Sequence, residues 1–255
     1  MSALLPSDVS VFALVALMAV ALIASIARGF SGFGAALIFM PLASTVAAPR
    51  TVAALLLVID LVAAAPFAPN AWKQADRKAV VLMVLGGLLT IPLGTYALTQ
   101  FDSVTTRWII AAFVAALLVL LISGWRYHGK AHPAATIGVG GVAGFCSGLA
   151  QTGGPPVVAY WLGQPLPGAL ARANIILYFA MSDVIAFASY LVGGILTTDV
   201  VKLALLVGPV YGLGLFIGAR LFGVASDTLF RRVCYTLIAL AAVVSLPALD
   251  PLLGR

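Results

Sequence analysis

Long apolar runs separated by short polar stretches recur along the whole chain. They cover residues 11–48, 51–67, 79–98, 105–123, 134–162, 170–191, 200–222 and 229–246. A helix that crosses a membrane takes about 20 apolar residues, so six of these eight elements have the length of a single span. The first and the fifth are too long for one straight span. Both are interrupted, the first by Gly29, Gly32 and Gly34, and the fifth by Gly153-Gly154-Pro155-Pro156. Proline removes a backbone donor and clashes with the preceding turn, so two in a row end a helix. The pattern predicts an all-α integral membrane fold in which the first element of each set of four is broken at a glycine-rich stretch.

The eight elements fall into two sets of four, a repeat over 1–125 and a second over 126–255, forming one integral membrane domain. The landmarks recur at a nearly constant spacing. Gly34 and Gly153 are 119 residues apart (153 − 34), Arg50 and Arg172 are 122 apart, and Asp60 and Asp183 are 123 apart. Gly94 with Gly218, and Arg107 with Arg231, are each 124 apart. Whether the halves are parallel or inverted depends on whether a broken element crosses the bilayer or re-enters, and the sequence leaves both open.

Composition narrows the class. The chain is 63% hydrophobic and 9% charged, with a mean hydropathy of +1.15, whereas a soluble domain carries roughly 25% charged residues. Segments of about ten alternating residues, the mark of a transmembrane barrel, do not occur. The net charge of +6 suits basic loops at an anionic bilayer surface. The basic residues are scattered, so no nucleic-acid partner is expected. The run from Val11 continues past Ala27 without an A-x-A pattern and reads as a first membrane element, not a cleaved signal. Cys146 and Cys234 lie in apolar segments and read as small buried residues. Trp72, Trp108, Trp125 and Trp161 fall near element ends, as an aromatic belt requires. Arg107 and Arg231 read as snorkelling side chains at the interface.

The candidate chemistry gathers at the breaks. An interrupted helix at membrane depth must be covered by protein or face a water-filled cavity. It also presents amide N–H groups at the start of the next half-helix, where the dipole attracts anions. Gly32, Gly34, Gly153 and Gly154 allow close approach of the backbone, Ser31, Ser147, Gln151 and Thr152 add side-chain donors, and Arg28 adds positive charge. These residues describe an anion site, with Arg172 as an alternative counter-charge and Asn174 and Tyr178 as polar contacts on the sixth element. The competing reading is that the glycines serve only close helix packing. Asp60 and Asp183 lie near the middle of their segments, where a charge costs about 2.5–3.5 kcal/mol. They are candidates for proton coupling or for ion pairing. His128 and His132 share one polar loop without other ligands, so no metal is expected. No nucleophile–base pair is available and no cofactor motif occurs, so the chain is not expected to be an enzyme.

Gly32-Phe-Gly-Ala-Ala-Leu-Ile-Phe-Met-Pro41 and Ser147-Gly-Leu-Ala-Gln-Thr-Gly-Gly-Pro-Pro156 resemble the paired signatures of the sulfite exporter TauE/SafE family of membrane transporters. The resemblance extends to length, duplication and the arginine that opens the element after each motif. Ala35 and Ala36 depart from it, standing where family members often carry glycine. The resemblance implies a secondary transporter in a bacterial inner membrane, moving sulfite, sulfonates or related organosulfur anions. The expected partners are a small anionic substrate and the lipid bilayer, with homo-oligomerisation left open. A passive anion channel and a membrane-embedded assembly factor remain as alternatives.

Overall fold

The computed structural model describes residues 10–31, 33–127, 132–221 and 227–251. Gly32, His128 and Lys130 lie outside the described residues, as do the side chains of Ser31 and Arg231. Among the described residues the regular structure is entirely helical. In order it comprises α1 (Val11–Ser31), α2 (Ala35–Ala43), α3 (Pro49–Ala64), α4 (Ala68–Gln74), α5 (Arg77–Gln100), α6 (Ser103–Ile122), α7 (Pro133–Ala150), α8 (Gly154–Trp161), α9 (Gly168–Val192), α10 (Thr198–Leu221) and α11 (Asp227–Val244). Among the described residues seven stretches are long and apolar enough to cross a membrane, and Arg232–Val244 is a shorter apolar helix.

Three features differ from the sequence expectation. The polar stretch 70–78 between the second and third apolar runs is expected to be a loop, but α4 covers it as far as Gln74 and α5 begins at Arg77. Pro66 and Pro69 sit in the first turns of the 3-10 turn Ala65–Phe67 and of α4, where the missing N–H has no helical partner to lose. Trp161 is 1% exposed, so it belongs to the interior and not to an interfacial belt; Trp72, Trp108 and Trp125 are 46–56% exposed. Arg107 does not snorkel. It is buried and forks onto Asp250, with N···O distances of 2.6 and 2.8 Å, while Nη2 also donates to the Ser245 carbonyl at 3.0 Å.

The helices pack as two compact units that each draw on both halves of the chain. One comprises Met1–Ile59, Phe101–Val119 and Ile195–Arg255; the other comprises Asp60–Gln100 and Leu120–Gly194. In the first, α1 lies on α10 and on α2, and α2 also meets α11. In the second, α5 lies on α7 and α9, and α8 touches both α7 and α9.

Both main crossings are closed by backbone against backbone. In the first unit a Cβ on Gly29 would overlap the Leu215 carbonyl and come within 3.0 Å of the Ala219 nitrogen, and one on Gly218 would overlap the Ile26 carbonyl. In the second unit a Cβ on Gly148 would overlap the Ile91 carbonyl and come within 2.9 Å of the Thr95 nitrogen, and one on Gly94 would overlap the Phe145 carbonyl. Membrane helices gain attraction by such close contact, because lipid offers no hydrophobic drive for helix to meet helix.

Asp102 starts α6. Its Oδ2 accepts the N–H groups of Val104 and Thr105 at 3.0 and 3.1 Å. The hydrogen bonds from Thr105, side chain first and then backbone, hold this exposed carboxyl below its usual pKa. The cap is therefore complete above the ordinary carboxylate pKa and is lost as pH falls through the lowered value. Asp102→Ala is expected to fray the first turn, read as faster amide exchange at Val104 and Thr105 than in the wild type.

Candidate functional site

The first interruption lies between α1 and α2. Arg28 is half-buried in the last turn of α1, where a cation complements the negative end of the helix dipole. Gly34 follows with φ +93°, a left-handed conformation that costs a side chain but not glycine. Its carbonyl accepts the Leu37 N–H at 3.1 Å and starts α2. Ala35, Leu37, Ile38, Phe39 and Met40 are all buried, so this half-helix is enclosed within its unit. Asp60 is half-buried near the end of α3.

The second interruption lies between α7 and α8. The chain turns at Gln151, which takes a left-handed φ of 56°. Its N–H donates to the Ser147 carbonyl at 2.9 Å. Thr152 gives both its N–H and its hydroxyl to the Cys146 carbonyl, at 3.2 and 3.3 Å. The Cys146 and Ser147 carbonyls in the last turns of α7 are thus satisfied by the turn itself, as an enclosed helix end requires. Gly153 is buried against Ser147, and a Cβ there would overlap the serine hydroxyl and the Ala143 carbonyl. Gly154 opens α8 and is half-buried. Pro155 and Pro156 then remove two of the amide donors that a helix start would otherwise present.

Helix α9 stands beside this turn and carries its polar residues on a buried face, Asn174, Tyr178, Ser182, Asp183 and Tyr190. Spacings of four residues place Asn174, Tyr178, Ser182 and Tyr190 along one stripe. The Tyr190 hydroxyl donates to the Gly148 carbonyl at 2.9 Å and accepts from Gln151 Nε2 at 3.3 Å, so α9 clamps the turn. Asn174 Oδ1 accepts the Asp76 N–H at 2.8 Å, at the start of α5. Asp183 is 7% exposed and lies within electrostatic reach of Tyr178 and Tyr190. Arg172 is exposed at the beginning of α9.

The structure therefore brings Ser147, Gln151, Thr152, Gly153, Gly154, Asn174 and Asp183 into one unit and leaves Arg172 at its surface. The role of Tyr190 is absent from the sequence reading. The available signal was its place four and eight residues beyond Ala186 and Ser182, on the stripe that begins at Asn174. Among the described residues no group of three His, Cys, Asp or Glu is placed to hold a metal.

The family model described as sulfite exporter TauE/SafE matches residues 17–245. The chain belongs to the sulfite exporter TauE/SafE family. With seven apolar helices of membrane-crossing length among its described residues, this family member is a multi-pass membrane protein. A curated relative from Cupriavidus necator, named "Probable sulfite/organosulfonate exporter TauE", is 27% identical over 230 residues, covering 86% of this chain and 89% of the relative. No solved structure matches the chain.

Proposed function

We propose that this TauE/SafE family member is a secondary transporter that moves sulfite or organosulfonate anions across the bacterial inner membrane, driven by an ion gradient. The observation that carries the reading is the family match across nearly the whole chain, together with the name of the C. necator relative. At the first interruption, Arg28, Ser31, Gly32 and Gly34 are the proposed anion contacts. At the second they are Ser147, Gly153 and Gly154, with Gln151 and Thr152 holding the turn. Arg28 is favoured over Arg172 as counter-charge, because Arg172 is exposed.

Internal duplication of the two four-element halves is part of this proposal, and the helix crossings support it. Gly148 follows Gly29 by 119 residues (148 − 29), the spacing that relates Gly153 to Gly34. Their partners Ile91 and Thr95 precede Leu215 and Ala219 by 124 residues each, the spacing that relates Gly94 to Gly218. Two unrelated crossings have no reason to repeat the same contacts at the same two offsets.

Asp60 and Asp183 are the proposed coupling groups, and Asp183 is the stronger of the two because it is buried. A proton taken up by such a carboxylate removes the charge that would repel an anion. Asp183→Asn keeps the shape and abolishes the titration. In proteoliposomes this variant is expected to exchange sulfite across the membrane while its pH-gradient-driven accumulation falls at least about 10-fold, the effect of losing about 1.4 kcal/mol of coupling. Accumulation equal to the wild type would rule out Asp183 as the coupling group.

A further inference from the structure

Asn174 and Tyr178 are both 0% exposed, and each keeps a donor that no group among the described residues accepts: Nδ2 of Asn174 and the hydroxyl of Tyr178. The other end of the Asn174 amide is in use, since Oδ1 takes the Asp76 N–H, so the free end is fixed in direction. A buried donor without an acceptor costs on the order of 1–3 kcal/mol. Two on one face of one helix, a turn apart, form a pattern that packing alone does not call for. Gly87 of α5 faces the hydroxyl with no side chain of its own in between. A Cβ placed on Gly87 of α5 would stand 3.6 Å from the Tyr178 oxygen, 3.5 Å from the Gly140 carbonyl and 3.4 Å from Ile91 Cδ1, all ordinary contacts. The other α5 glycines differ, since a Cβ on Gly86 or Gly94 would overlap backbone of α7.

We infer that Asn174 Nδ2 and the Tyr178 hydroxyl are substrate contacts, donating hydrogen bonds to the oxygens of a sulfite or sulfonate group. This inference rests on the transport reading. The chemistry is selective for such ligands. An amide N–H₂ needs an acceptor, a phenol is the stronger as a donor, and sulfite and sulfonates present oxygens that only accept. Donors facing a charged acceptor form the stronger class of hydrogen bond. The residues come from α9 and are backed by α5, so the contact does not depend on the amides at the start of α8, two of which proline has removed. Asp183 lies within electrostatic reach of Tyr178, so the proton proposed for that carboxyl acts beside the contact.

The test uses the full chain in detergent and in proteoliposomes, with sodium sulfite and methanesulfonate as probes. Tyr178→Phe removes the hydroxyl and no hydrogen bond among the described residues. The ligand-free variant is expected to melt at or above the wild-type temperature, and its KM for the better probe is expected to rise about 10- to 100-fold with kcat nearly unchanged, the range expected for a lost hydrogen bond to a charged group. Gly87→Ala fits without backbone overlap and brings a methyl to the hydroxyl, so it too is expected to raise KM without lowering the melting temperature. A Tyr178→Phe protein with wild-type KM and wild-type stabilisation by the probe overturns the inference, the hydroxyl then holding only a water. A ligand-free Tyr178→Phe protein that melts several degrees lower also overturns it, because the hydroxyl then has a structural partner. If the wild type transports neither probe, the transport reading falls. The inference is then judged on probe-dependent thermal stabilisation, which supports it if present in the wild type and lost in Tyr178→Phe, and overturns it if absent from the wild type or unchanged in the variant.

Discussion

Gly148→Ala is expected to destabilise the protein by about 3 kcal/mol, at the upper end of the usual range for overpacking. The atoms a methyl would meet are the Ile91 carbonyl and the Thr95 nitrogen, both backbone, so no side chain can swing aside. The helices have to separate. Separation is not local, because the same α5–α7 seam is closed again where Gly140 meets the Met83 carbonyl and Gly86 meets the Ile137 carbonyl. Gly29→Ala, at the α1–α10 crossing, is expected to cost a similar amount for the same reason. Gly87→Ala serves as the control, since its neighbours begin at 3.4 Å and alanine is the better helix former by about 1 kcal/mol. Thermal unfolding of the three variants in one detergent separates these cases. Equal melting of Gly148→Ala and Gly87→Ala would contradict the close crossing.

Asp250→Ala is expected to cost about 3 kcal/mol, the low end of what breaking a buried pair costs. The low end applies because the Asp250 side chain is 20% exposed, whereas that of Arg107 is 10% exposed. Removing the carboxylate leaves a guanidinium enclosed with, among the described residues, the Ser245 carbonyl as its remaining acceptor and no partner for Nε. Arg107→Met together with Asp250→Ala removes the charge along with its counter-charge. The double variant is expected to recover much of the loss, as coupled pairs do. Chemical unfolding of the two single variants and the double variant forms the cycle. Additive losses would show that the two groups act independently.

The helical framework was legible because membrane spans are written in composition. Runs of apolar residues near 20 in length admit few other structures once charge is scarce. The two overlong runs were also readable as too long for single spans, and α1 ends at Ser31 while α7 ends at Ala150, inside those runs. Pairings across long separations were not legible. Arg107 meets Asp250 across 143 residues and Asn174 meets Asp76 across 98, and no local pattern announces either. Arg107 was misread because an arginine at a helix start in a membrane protein looks alike whether it reaches for headgroups or for a carboxylate. Residues 70–74 were misread because proline ends a helix from inside and begins one from its first turn, and the sequence shows the residue but not the turn. Trp161 was misread because proximity to an element end says nothing of what packs outside it. The polar face of α9 was half legible. Asn174 and Tyr178 share a face by spacing, whereas the clamp from Tyr190 to Gly148 depends on where α7 turns.

Movement of an anion through the reconstituted chain is the property on which the proposed function most directly depends. Purified protein in proteoliposomes, loaded with sodium sulfite or methanesulfonate on one side and held under an imposed pH gradient, is the decisive preparation. The prediction is flux of at least one of the two anions well above protein-free liposomes, rising with the gradient and falling when an ionophore collapses it. Flux of neither anion above the protein-free level, at any gradient, would contradict the proposed function.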